Sequence, residues 1–122
     1  MMALLRVALP LIAAGCASEP DRLVEPKAVS DVELAPFAIL TQCFALSEGE
    51  RVAYRFTATR PVAFNVHFRE GNARIIPVDV QATRDESGDF TADRGQNYCL
   101  EWEAGASGSI IDYRVQQVRP RR

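Results

Sequence analysis

Apolar and polar residues alternate with a period of two along three stretches of this chain. Residues 52–58, 62–68 and 98–102 each place apolar side chains at every second position. Such alternation is typical of strands that bury one face. Two further strands are predicted at 74–80 and 110–118, and no long stretch repeats at helical spacing. Short strands at regular spacing predict an all-β fold, an antiparallel β-sandwich of about seven to eight strands.

Polar segments that contain glycine separate the predicted strands. They lie at 47–50, 69–72, 85–89 and 105–108, and each has the composition of a turn. The aromatic residues at core-facing strand positions are Tyr54, Phe64, Phe68, Tyr98 and Trp102. Trp102 stands near a strand end, so it is also a weak candidate for an exposed binding patch.

The N-terminal segment has a different pattern. An apolar run at 7–14 leads to Gly15 and Cys16, and the composition then turns polar. This resembles a bacterial lipoprotein signal peptide with its lipobox. The resemblance implies a signal peptide at 1–15 and a fatty-acylated (palmitoylated) Cys16 at the mature N-terminus. It also implies that the protein lies in the bacterial cell envelope. Ala17, the residue after the cysteine, favours anchoring in the outer membrane with the domain facing the periplasm. An ordinary secretory signal, a buried strand or an apolar tail are the alternatives.

Residues 16–32 are rich in proline and acidic side chains, and they are interpreted as the lipidated N-terminus and a flexible tether. An edge strand over residues 23–29 is the alternative. The folded domain is predicted at 33–118, followed by a basic tail at 119–122.

Charge and cysteine count narrow the function classes. The chain has 14 basic and 16 acidic residues, and the scattered basic residues predict no nucleic-acid partner. Three cysteines are an odd number for an exported protein, and lipidation of Cys16 leaves Cys43 and Cys99 to pair. Two separate buried thiols are the alternative. Both cysteines lie off the aromatic face, so they meet on the outer face of neighbouring strands unless a bulge turns one inward.

A family resemblance begins at Cys43-Phe44. The segment 43–54 resembles the opening of the GOLD domain of emp24/p24 proteins, with Cys-Phe, a turn glycine and an alternating strand. Similar later features are the strand at 62–68 and the residues Phe90, Gly95 and Tyr98-Cys99. The resemblance spans about 34–118. It implies a β-sandwich with a disulfide between the two cysteines and a role in protein binding.

Candidate catalytic groups are few. His67 is the one histidine, and Glu101 and Glu103 share a strand face where they could act as acid and base or bind a cation. Asp85, Glu86 and Asp89 suggest calcium, but their spacing matches no standard loop. The sequence therefore predicts no catalytic site, no cofactor and no metal.

The leading hypothesis is a non-enzymatic envelope lipoprotein, bound to the membrane by its lipid anchor. Its β-sandwich would bind another protein or an envelope component. A carbohydrate-binding or hydrolase-inhibiting module is the alternative, which an exposed Trp102 or a protruding loop at 83–89 would favour. An enzyme built on His67 and the glutamates is the third hypothesis.

Overall fold

The computed structural model describes residues 22, 23 and 25–118. This part of the chain is all-β, antiparallel and without a helix, as the sequence predicts. Accordingly, it contains no helical segment with the length and hydropathy needed to cross a bilayer. The strands are β1 (Lys27–Leu34), β2 (Ile39–Leu46), β3 (Arg51–Glu70), β4 (Ala73–Thr91), β5 (Gln96–Ala104) and β6 (Ser109–Val118).

Two long strands, β3 and β4, divide the sheet into two halves. Residues 51–58 of β3 pair with β6, which in turn pairs with β1. Residues 62–67 of β3 pair instead with β5, which in turn pairs with β2. Because β4 follows β3 through both halves, six strands supply the segments that the sequence divides into seven or eight.

Aromatic side chains from the two halves meet in one core. The rings of Trp102 and Tyr113, on β5 and β6, lie 4.8 Å apart between centroids. Phe56 and Phe64, from the two parts of β3, lie 4.9 Å apart. The five aromatic residues predicted to face the core are all buried, and Phe64, Tyr98 and Trp102 are fully so. The period of two therefore identifies the buried face correctly.

The folded part begins earlier than the sequence indicates. Residues 27–32, assigned above to the tether, belong to β1 and pair with β6 at the edge of the first half. The pairing register shifts between Val29 and Val32, where Asp31 has a φ of 58° and its N–H donates to Asp112. This irregularity explains why β1 lacks the alternation that marks the other strands.

The turn predicted at 85–89 is wrong. These residues lie within β4 and pair with residues 53–57 of β3. Gly88 stands opposite Tyr54, and a Cβ atom there would lie 2.7 Å from the tyrosine hydroxyl. The glycine gives the tyrosine room rather than reversing the chain. The turns predicted at 47–50, 69–72 and 105–108 do contain chain reversals, with Gly49, Gly71 and Gly108 at positive φ.

The strand directions give the domain two ends. The entry end holds the start of β1, the loops at 47–50 and 92–95, and the hairpin turn at 71–72. Two of these loops are joined by backbone hydrogen bonds: the N–H of Gly49 donates to the Ala92 carbonyl, and the N–H of Ala92 donates to the Glu50 carbonyl. The far end holds the loops at 35–38 and 105–108 and the bend of β3 at 58–61. A strand as long as β1 separates the ends by about 25 Å.

Several predictions concern residues outside the part of the chain that the structure describes. The signal peptide at 1–15, the acylated Cys16 and the basic tail at 119–122 lie outside the described residues.

Candidate functional site

Cys43 and Cys99 form a disulfide on the outer face of the second half of the sheet. They are directly opposite each other in the pairing of β2 with β5, and their Cα atoms are 4.0 Å apart. Of the two arrangements that the sequence left open, the structure has the one between neighbouring strands. On the other side of Cys99, the opposite residue is His67 of β3. The bridge therefore borders the residues considered above for catalysis.

His67 and Glu101 belong to a half-buried polar cluster with Asn65 and Arg74. His67 Nδ1 lies 2.7 Å from Asn65 Oδ1, and Asn65 Nδ2 donates to Glu101 Oε1 at 3.3 Å. Arg74 donates to the same carboxylate oxygen at 3.1 Å. Sequence reasoning grouped His67 with the glutamates only under the enzyme hypothesis, and it missed Arg74. Cross-strand register is not written in the alternation of either strand.

Burial lowers the pKa of His67 below its ordinary value. The positive charges of Arg74 and Arg69 lower that pKa too, while the negative charge of Glu101 opposes them. The side chain of His67 is 12% exposed and that of Glu101 is 17% exposed. The imidazole is therefore held neutral near pH 7, and the Glu101 carboxylate is occupied by Arg74 and Asn65. The contacts within the cluster therefore involve Nδ1 of His67, both polar atoms of the Asn65 side chain and the Glu101 carboxylate.

The other candidate acids do not converge. Glu103 shares the outer face of β5 with Glu101 but is exposed. Asp85 and Asp89 lie on the outer face of β4, about 13 Å apart along the strand, and Glu86 points to the opposite face. Within the described ranges, no three histidine, cysteine or acidic side chains are grouped closely enough to hold a metal ion.

A buried carboxylate joins the loops of the entry end. Glu50 is 6% exposed and accepts from the backbone N–H of Ser47 at 2.6 Å, from Arg22 at 2.7 Å and from Gln117. Burial alone raises the pKa of Glu50. The hydrogen bonds from Ser47 and the charge of Arg22 outweigh burial and leave that pKa below its ordinary value. Glu50 thereby attaches the chain preceding β1 to the folded domain.

The far end carries most of the exposed apolar surface. Phe37, Ile39 and Ile110 are 65%, 56% and 38% exposed, and they belong to the 35–38 loop and the adjacent strand starts. Phe37 has a φ of 61°, which is rare for a bulky residue, and its N–H donates to Gly105. Because backbone strain clusters at functional sites, this loop is a candidate for binding.

An open groove of about 810 Å³ lies beside this apolar surface. Arg60, Arg84, Ser107 and Ile110 are among its lining residues. The groove forms where four residues of β3, Ala58–Pro61, stand opposite the single residue Arg84 of β4. A sequence signal that could have indicated the groove is Arg60-Pro61, which interrupts the alternation between the stretches 52–58 and 62–68.

The structure does not place the two features of the carbohydrate or inhibitor alternative at an exposed site. Trp102 is fully buried in the core, so its indole offers no surface to a sugar. Residues 83–89 form part of β4 and do not protrude as a loop.

No protein-family model matches this chain, and no curated protein sequence matches it significantly. Among solved structures, the chain is similar to the pre-peptidase C-terminal domain of collagenase from Bacillus anthracis. The similarity is one of fold. Its TM-score is 0.57 with 12% sequence identity, over 85% of this chain and 99% of that one. The resemblances to a lipobox and to the GOLD domain stay predictions.

Proposed function

We propose that this protein is a bacterial envelope lipoprotein, anchored by acylated Cys16, whose β domain is a non-enzymatic binding module. The observation that carries the proposal is the disulfide between Cys43 and Cys99. It uses both cysteines of the domain and leaves Cys16 as the third. Cys16 stands where an apolar segment ends, as in a lipobox. Disulfides persist in oxidising compartments, so the bridge supports export.

The polar cluster is better explained as a contact between strands than as a general acid or base. A general base must have a lone pair free for its substrate, and a general acid must have a proton to give. The Glu101 carboxylate already accepts from Arg74 and Asn65. Asn65 Oδ1 accepts from the Nδ1–H of His67, so the lone pair of the neutral imidazole lies on Nε2, and the proposal does not rest on His67 being blocked. These contacts fasten β3, β4 and β5 to one another beside the disulfide.

The proposed orientation presents the far end to a partner. The chain enters the domain at β1, and Glu50 holds Arg22 at the same end. A lipid on Cys16 would thus hold the entry end towards the membrane. The exposed Phe37 and Ile39 would then face the periplasm, where another protein or an envelope component could contact them.

Metabolic labelling with a palmitate analogue tests the anchor. The full chain, expressed in a bacterium, is expected to carry the label and sediment with the membrane fraction. Cys16→Ser is expected to lose the label and leave the membrane, because one cysteine accepts the lipid. The matched control, the double variant Cys43→Ser/Cys99→Ser, should keep the label. An unlabelled wild-type chain, or label retained by Cys16→Ser, would disprove the proposal.

A further inference from the structure

The bend of β3 gives the far-end groove a fixed backbone. The Ser109 hydroxyl accepts from the N–H of Arg60 at 3.1 Å and donates to the carbonyl of Arg60 at 2.8 Å. The Thr59 hydroxyl accepts from the N–H of Ile110 at 2.9 Å. Ser109 is 6% exposed, so this pairing is largely protected from water. The backbone of Arg60 is therefore held in place in the absence of a ligand.

The groove has two arginines whose charges are not neutralised by ion pairs. Among the described residues, Arg22, Arg51, Arg74 and Arg94 pair with carboxylates. Arg60 and Arg84 do not, and nor do Arg55, Arg69 and Arg114, which lie outside this groove. The groove lining contains one acidic residue, Glu33. Two guanidinium groups against one carboxylate give the groove lining an excess of positive charge in a net acidic protein.

The remaining lining adds hydroxyl groups and apolar surface. Thr59 and Ser107 contribute hydroxyls, and Leu34, Ala35 and Ile110 contribute apolar side chains. The Ser109 hydroxyl is already bound to the backbone of Arg60. A guanidinium presents a planar fork of N–H donors that matches the paired oxygens of a phosphate or a carboxylate.

We propose that the far-end groove binds an oxyanion, a phosphate or carboxylate group of a larger ligand, between Arg60 and Arg84. This names the ligand chemistry of the proposed binding module. The site belongs to the folded domain, so it stands even if Cys16 carries no lipid. A failed lipid-labelling experiment and a failed anion-binding experiment would therefore be distinguishable.

The test is an NMR titration of the purified full-length chain with inorganic phosphate and, separately, with acetate. Sodium chloride at matched ionic strength is the reference. The guanidinium N–H signals of Arg60 and Arg84 are expected to shift in a saturable way with at least one oxyanion. A response to phosphate alone assigns a phosphorylated ligand, and a response to acetate assigns a carboxylate ligand. Shifts no larger than those in chloride would overturn the proposal.

Arginine variants provide the controls. Arg84→Gln and Arg60→Gln are each expected to weaken binding roughly tenfold or more, as expected for a lost charged hydrogen bond. Arg55→Gln is the matched control, because Arg55 is an exposed arginine on the outer face of β3 that does not line this groove. Equal weakening by Arg55→Gln would show unspecific attraction to arginine and overturn the site. The amide spectrum of each variant reports whether it is folded.

Discussion

Tyr54 and Gly88 fit together across β3 and β4 in a way that no larger residue at position 88 would allow. In Gly88→Ala, the new methyl group would lie 2.7 Å from the tyrosine oxygen and 3.0 Å from its ring. Tyr54 is 8% exposed and in contact with Phe64, so the ring has little room to move. We expect the free energy of unfolding in urea to fall by about 1–3 kcal/mol.

Gly95→Ala is the control for that experiment, because no atom lies within 4 Å of the position a Cβ would take at Gly95. A second check uses Tyr54→Phe, which removes the nearest atom. Gly88→Ala should be less harmful in that background than in the wild type. Equal losses from Gly88→Ala and Gly95→Ala would contradict the steric explanation.

His67 makes the stability of the domain depend on pH. Its pKa is lowered in the folded state, so the unfolded chain takes up a proton at higher pH than the folded chain does. The stability contributed by the neutral imidazole is therefore present above about pH 6.5 and is lost as pH falls below it. Thermal unfolding measured from pH 7.5 to 5.5 should show this loss in the wild type.

His67→Gln removes the titrating group and should show a smaller decrease over the same pH range. Glu50 has a lowered pKa as well, but its effect appears below its ordinary pKa of 4.5 and so at more acid pH. A wild type and a His67→Gln variant with the same pH dependence between 7.5 and 5.5 would disprove the role of His67.

At the scale of the elements, the disulfide connects the edge strand β2 to β5. The bridged residues are 56 positions apart in sequence, and closing a loop of that size stabilises by about 4 kcal/mol in the chain-entropy model. Cys43→Ser and Cys99→Ser should each destabilise the domain to a similar extent in denaturant unfolding. The double variant should lose little more free energy of unfolding than either single variant, because each single change already breaks the bridge. If the double variant lost the sum of the two single losses in free energy of unfolding, the two cysteines would not be acting through one bridge.

The sequence predicts the central strands of this fold better than its margins. In the stretches 52–58 and 62–68 every second side chain enters one core, so the alternation is regular and the buried residues could be named in advance. β1 is an edge strand with a shifted register, and its inward residues are only half-buried. Because this edge strand buries little of each inward side chain, its alternation of apolar and polar residues is weak.

Composition misled at 85–89, where a glycine among polar residues has the signature of a turn. The reason for Gly88 is the ring of Tyr54, more than thirty positions earlier in the chain. The groove residues Arg60 and Arg84 were missed for a related reason. They come together because the β3–β4 hairpin bends over the far end. The interruption at Arg60-Pro61 marks a break in the alternation, but it does not show that Arg84 lies opposite that break.

For the whole molecule, the disulfide also limits how far the chain can be drawn out if it is held at one end. Residues between Cys43 and Cys99 lie inside the covalent loop, so they transmit no extension while the bridge is intact. At about 3.4 Å per residue, the loop withholds about 190 Å of contour length. Under mechanical load the uncrosslinked edge strand β1 would be peeled from β6 first, and β2 and β5 would stay joined. The reach of a domain held in this way is therefore limited by a covalent bond as well as by the strength of its core.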